Sequence, residues 1–170
     1  MITLSAPPEL SAPTATVRVS FLTGEQADCL ASGFDTDWLR PASEDFDAYL
    51  ASCRAVRRRW DVPFSTYWYT AGEHYLGTLV IRHELTPALL TDGGHIGYHI
   101  SPTWRRQGHA TSMLAAGLTE ARRLGLSRVL LTCDPENEAS RRTIVNNGGE
   151  LDEQLGAELR YWIDLEQKRR

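Results

Sequence analysis

Residues 94–110, GHIGYHISPTWRRQGHA, constrain this chain more than any other stretch. They open as an alternating run of β-branched and aromatic residues, pass through Ser101 and Pro102, and end in Arg105, Arg106, Gln107, Gly108, His109 and Ala110. From Thr111 to Leu124 the period turns helical: Met113, Leu114, Gly117, Leu118, Ala121 and Leu124 share one face, with Ser112, Glu120, Arg122 and Arg123 opposite. The order is strand, basic glycine loop, helix. The first turn of a helix presents amide N–H groups without intrahelical partners, together with the positive end of the peptide dipoles, so this is an anion site. Gly108 lets a ligand approach the backbone, Ala110 keeps the helix start uncrowded, Arg105 and Arg106 add charge, and a diphosphate fits.

Two familiar phosphate motifs fail here. A Walker loop needs Gly-Lys-Ser/Thr, but Gly108 is followed by His109 and Ala110; a dinucleotide fingerprint needs three glycines between strand and helix, but Gly93, Gly94 and Gly97 precede or interrupt a strand. The loop does match Arg/Gln-x-x-Gly-x-Gly/Ala, as Arg105-x-x-Gly108-x-Ala110. In this it resembles the pyrophosphate loop of the GNAT superfamily of N-acetyltransferases. A bare match also describes an ordinary helix start with two solvated arginines, so the rest of the chain has to decide.

At 170 residues the chain is expected to form one domain with a proper core, and its 42% hydrophobic and 24% charged shares are those of a globular protein. No apolar run reaches membrane-spanning length and residues 1–15 carry no secretory pattern, so a cytoplasmic protein without membrane association is expected. Cys29, Cys53 and Cys133 are odd in number and lack metal-ligand spacing, which makes reduced thiols the expectation. The net charge of −4 argues against nucleic-acid binding and favours cationic small substrates.

Residues 1–15, rich in Pro, Ser and Ala, read as a flexible leader, and residues 16–166 as the domain. Residues 16–22 alternate as a strand. Residues 24–39 read as a helix with Ala27, Leu30 and Ala31 inward, and a second helix, with Phe46, Tyr49, Leu50 and Cys53, runs into the cluster Arg57, Arg58, Arg59 as a solvated helix end. Residues 65–71 and 75–85 form a hairpin, and residues 87–93 a loop before the central strand. Residues 128–133 are an apolar strand of the buried kind, residues 137–145 a helix capped by Asn137, and residues 150–154 and 159–165 a closing hairpin. Only the leader and the basic tail, residues 168–170, stand apart.

That order of elements is similar to the GNAT order over nearly the whole chain. RHEL at residues 82–85, GGHIGY at 93–98, TCD at 132–134 and RYWIDL at 160–165 resemble a branch of bacterial acetyltransferases. The resemblance implies an α/β (α+β) fold: a single domain on a central mixed, mostly antiparallel sheet of about seven strands, splayed between strands 4 and 5, with about four helices. It implies acetyl-CoA as co-substrate and no metal, with the pantetheine arm in the splay. Ile100 and Ser101 then offer backbone groups to the arm, Arg105, Arg106, Gln107, Gly108, His109, Ala110 and Thr111 hold the diphosphate, and Asn137 contacts the arm. Asn137 is equally a plain helix cap, and both roles can hold because its amide has a donor to spare.

One position departs from the family. Seven residues after the asparagine the family often carries a tyrosine that protonates the leaving thiolate; here it is Ile144. The proton acceptor is open as well. An amine of pKa about 10.4 is protonated at neutral pH, and stripping its proton costs about 4 kcal/mol. The candidates are Glu84 at the end of the strand beside the central one, then His83 and His99. Glu84 also reads as a surface carboxylate at a strand end. His95 and His99 are separated by about 13 Å of strand, too far for one ion, so no metal is expected. Cys133 reads as a packing cysteine, and Tyr67, Trp68, Tyr69 and Trp162 as mostly core.

The expectation is an acetyl-CoA-dependent N-acetyltransferase acting on a small-molecule amine or a peptide amine by direct attack, as a monomer or homodimer. The alternative from another class is a non-catalytic acyl-CoA-binding or regulatory module, for which Ile144 speaks.

Overall fold

A computed structural model describes residues 2–166; the basic tail lies outside the described residues. Val17, Phe21, Glu25 and Cys29 recur every fourth residue and are all buried, which is one face of a helix. They sit on or just before α1 (Arg18–Ser32), which Gly33 ends in the left-handed conformation at φ 72°. Residues 16–22 were expected as a strand because Val17, Val19 and Phe21 alternate; the helix wins because the four-residue stripe buries Val17 and Phe21 and leaves Val19 77% exposed. Leu30 and Ala31, expected inward, face solvent.

The next helical segment breaks at Asp45 into α2 (Arg40–Glu44) and α3 (Phe46–Arg54), because the Asp45 carboxylate accepts from the Ala48 N–H at 3.0 Å and caps α3. Arg57–Arg59 is not a helix end but β2, paired antiparallel with the start of β3 (Val62–Ala71). Glu9–Ser11, within the expected leader, is β1, paired with Trp68 to Thr70 farther along the same edge of β3. β4 (His74–Arg82) completes the hairpin, and the loop expected before the central strand contains a short helix α4 (Pro87–Thr91), capped by Thr86. Then follow β5 (Ile96–Ile100), α5 (His109–Arg123), β6 (Arg128–Cys133), α6 (Glu138–Asn146), β7 (Glu150–Leu155) and β8 (Glu158–Asp164).

The strands form two antiparallel sheets rather than one: β1, β2, β3, β4 and β5 in the first, and β6, β8 and β7 in the second. The class is the expected mixed α/β one, with eight strands and six α-helices among the described residues where about seven and four were expected. The separation falls where the splay was expected, between β5 and β6. No ladder joins that pair among the described residues; instead the His95 N–H donates to Leu130 O at 2.8 Å and the Leu130 N–H donates to His95 Nδ1 at 2.9 Å.

Two cores result. Leu79, Ile81, Ile96, Met113, Leu114, Val129, Leu131 and Ile144 pack beneath the sheets against α5, whose Gly117 seats the helix so closely on Leu79 that a Cβ there would lie 2.5 Å from its methyl group. On the other face, Val17, Phe21, Phe46, Leu50, Trp68 and Tyr75 form a largely aromatic core that fastens α1 to the first sheet, with Phe21 stacked on Trp68 at 4.3 Å. β5 is the shared wall. Ile96, Tyr98 and Ile100 pack toward the α5 side, and by the alternation of a strand Gly97 and His99 face α1.

Candidate active site

The loop from β5 to α5 is a 3-10 turn, Pro102–Trp104, followed by Arg105 to Gly108. Arg106 and Gly108 both sit at positive φ, 61° and 82°, and this bend delivers the chain into α5 with Gly108 as its N-cap. Gly108 makes no side-chain cap, and a Cβ placed there meets nothing within 4 Å. The first-turn amides of α5, at His109, Ala110 and Thr111, have no intrahelical acceptor, as a site for an anion requires.

The side chains of the loop divide their work. Arg106 is exposed and has no carboxylate partner among the described residues. Arg105 is turned inward: its Nε donates to Ile100 O at 2.8 Å and its guanidinium pairs with Asp28 of α1. Gln107 Nε2 donates to Thr103 O at 3.3 Å. The His109 ring lies against Trp104 and Tyr69, where burial lowers its pKa, so its contribution to the loop is its amide. Asn137 caps α6, accepting from the Ser140 N–H at 3.1 Å, and its Nδ2 stays exposed.

Register decides which backbone groups reach the splay. Arg82 N–H donates to His95 O and Ser101 N–H donates to Leu76 O, so the His95 carbonyl and the backbone of Gly97, His99 and Ser101 point at β4, while the His95 N–H is turned to Leu130. Tyr98 and Ile100 point theirs at the open edge. Ser101 N–H is thus engaged with β4, and Ile100 O with Arg105; the amides of Tyr98 and Ile100 lie on the edge without a partner among the described residues.

Of the three candidate proton acceptors, the structure gathers groups around one. His99 Nε2 lies 2.8 Å from Glu25 Oε1, and Glu25 is 2% exposed. The same carboxylate accepts from the Tyr75 hydroxyl, which in turn lies 2.5 Å from Thr78 Oγ1. Burial alone would lower the His99 pKa, but the hydrogen bond and charge of Glu25, joined by Asp28 and opposed by Arg105, raise it above its ordinary value. Glu84 is elsewhere. β4 ends at Arg82, four residues or about 13 Å beyond the Thr78 that faces His99, and Glu84 follows in an exposed bend. His83 is bonded to Ser65 at 2.8 Å at that same far end. Both were expected on the strand beside the central one, because that strand was read as running to residue 85.

On the opposite side of β5, the Tyr98 hydroxyl lies 2.9 Å from Ser140 Oγ in the first turn of α6. Burial raises the Tyr98 pKa, and Cys133, also pushed up by burial, adjoins the same serine. Ile144 is fully buried in the core below. Glu25, Asp28 and His99 bring their ligand atoms within 4.8 Å of one another, the spacing of a metal cluster, but Nε2 is engaged with Glu25 and Asp28 with the Arg105 cation. A cationic guanidinium in that shell suits an ion-pair network and opposes a metal ion.

Glu25 and Asp28 were missed in the sequence. The one available signal was a carboxylate occupying a core position of the Val17, Phe21, Cys29 stripe.

A family model described as acetyltransferase (GNAT) domain matches residues 38–150, more than half of the chain. No curated protein matches it by sequence. Among solved structures, the chain is similar to RimJ of Mycobacterium smegmatis in complex with CoA-disulfide, at 22% identity and a TM-score of 0.69, covering 98% of this chain and 88% of that one. It is similar also to a Salmonella typhimurium acetyltransferase that modifies the N-terminal serine of the 50S subunit protein L7/L12, at 17% identity and a TM-score of 0.62, covering 95% and 96%. A third is the microcin C7 self-immunity acetyltransferase MccE in complex with acetyl-CoA and AMP, at 14% identity and a TM-score of 0.60, covering 92% of each chain. At such identities these likenesses speak for the fold.

Proposed function

The chain belongs to the GNAT family of acetyltransferases, acetyl-CoA-dependent enzymes, and from that premise we propose that it acetylates a primary amine by direct attack on the thioester, with His99 as proton acceptor. The acceptor class is an amine on a peptide or a small molecule; a neighbour of the same fold modifies a protein N-terminus.

The observation that carries this reading is the alternation along β5. His99 packs with Glu25 of α1 on one face, Tyr98 reaches Ser140 of α6 on the other, and the amides of Tyr98 and Ile100 lie on the edge between them. The cofactor diphosphate sits on the first-turn amides of α5 beside Arg106, and the arm runs along the open edge of β5 past Asn137. The thioester carbonyl then meets strand N–H groups that stabilise the oxyanion as it forms. The amine nitrogen bonds to the carbonyl carbon from the α1 side and its proton passes to His99. The carbon–sulfur bond breaks toward α6, where the hydroxyls of Tyr98 and Ser140 donate hydrogen bonds to the departing sulfur. Outright transfer from Tyr98 is uphill, because burial holds the phenol above about 10 while a thiol titrates near about 8.5. The thiolate therefore leaves hydrogen-bonded and takes its proton from solvent. No covalent enzyme intermediate forms.

Thiol release from acetyl-CoA across a panel of amines and peptide N-termini tests the reading. His99→Gln is expected to lose about a hundredfold in rate while calorimetric affinity for acetyl-CoA changes less than about twofold. A wild-type protein that binds acetyl-CoA but does not accelerate its consumption, whatever amine is offered, would instead be an acyl-CoA-binding module.

A further inference from the structure

A carboxylate at 2% exposure on the apolar stripe of α1 has no packing reason to exist, since a leucine there would fill the space without the cost of desolvating a charge. We propose that Glu25 is a positioning residue for His99: its carboxylate holds the Nε2–H and so turns Nδ1 toward the amine, while Asp28 and Arg105 tie this pair to the cofactor loop. The inference rests on His99 being the proton acceptor.

Donor counting supports it. Tyr75 has one hydroxyl proton and gives it to Glu25, so the 2.5 Å contact with Thr78 is a bond donated by Thr78. A carboxylate can only accept, so the 2.8 Å contact with His99 is donated by Nε2–H. The neutral imidazole is then fixed with its lone pair on Nδ1. The chain Thr78 to Tyr75 to Glu25 to His99 crosses from β4 through α1 to β5, and its middle members, Tyr75 and Glu25, are buried. This is the arrangement of a base oriented by a third group.

The groups facing His99 are Glu25 and Asp28 from α1, Tyr75 and Thr78 from β4, and Arg105 from the loop. The two carboxylates favour the imidazolium that forms when the amine gives up its proton. Arg105 opposes it, but its charge is shared with Asp28 and Ile100 O. Arg105, the first residue of the phosphate motif, thus serves the base, and Arg106 and the amides serve the phosphates.

The test is an NMR titration of the His99 ring in the full chain, with pH–rate profiles beside it. In wild type the midpoint is expected above about 6.5, and in Glu25→Gln, which keeps an acceptor for Nε2–H but removes the charge, lower by about one pH unit or more. The acid limb of kcat should move by the same amount, kcat should fall about tenfold or more, and the KM for acetyl-CoA should hold within about twofold. Glu25→Asp, which keeps the charge, should restore the midpoint in part. Should Glu25→Gln not fold, Tyr75→Phe leaves the carboxylate leaning on His99 alone, and its midpoint should rise. An unmoved midpoint, or an unmoved acid limb in a variant that turns over, overturns the role of Glu25. Wild type that consumes no acetyl-CoA with any amine overturns the acetyl-transfer reading instead, whatever the ring titration shows.

Discussion

Gly108 shows how much one residue can carry. At φ 82° a side chain is strained, and the empty volume around it is the space in which the proposed diphosphate site lies. Gly108→Trp should abolish acetyl-CoA binding by calorimetry while the thermal midpoint drops by only a few degrees, since strain at one exposed residue costs about 1–2 kcal/mol. Retained affinity would contradict the position of the loop. The turn at Gly108 was legible in the sequence, because a glycine stands between two arginines and a helical period, a pattern that also describes an ordinary helix start. Glu25 was not, because a lone carboxylate in an amphipathic run reads as solvated until its neighbours are known. Arg105 was legible as a cation but not as to its partner, since Asp28 lies 77 positions away along the chain.

At the scale of elements, α1 is the piece on which the site depends. It is anchored by rings: Phe21 lies 4.3 Å from Trp68, 5.0 Å from Tyr75 and 6.1 Å from Phe46. Phe21→Ala should cost about 3–5 kcal/mol in urea unfolding, and because Glu25 lies one helical turn farther on, kcat should fall with it. A loss under about 1 kcal/mol would mean that α1 is held by something else. The strands from β3 to β8 and helices α5 and α6 were readable because each has one clean period and a terminating residue. The elements of the chain before β3 were read less well. Val17, Val19 and Phe21 satisfy a two-residue period as well as a four-residue one, and only burial chooses between them. The three arginines of β2 carry no strand signature; the hairpin with β3 imposes it, across Trp60 and Asp61 at φ 56° and 62°.

For the molecule as a whole, His95 joins the two sheets through both its backbone and its ring. His95 is 7% exposed and its Nδ1 accepts from Leu130 N–H; burial, then the charges of Arg128 and Arg82, holds its pKa down at about 4. The unfolded chain protonates this ring near about 6.5, so His95 contributes nothing adverse above that pH. Below it the unfolded state binds the proton first, and stability falls until about pH 4, by at most about 1 kcal/mol per pH unit. Urea midpoints for wild type should drop more steeply between pH 7 and pH 4.5 than those of His95→Gln, and equal slopes would refute the assignment. His99, raised rather than lowered, works in the opposite direction, which is why the comparison with the variant is the informative one.

The outer margin of β3 has a further meaning. It is covered in two short pieces, β1 and β2, each three residues long, and the second is nothing but arginine. A margin so interrupted and so cationic gives another copy no continuous run of amides to zip onto, and like charges repel any copy that tries. Addition of a further copy along this margin is thereby disfavoured.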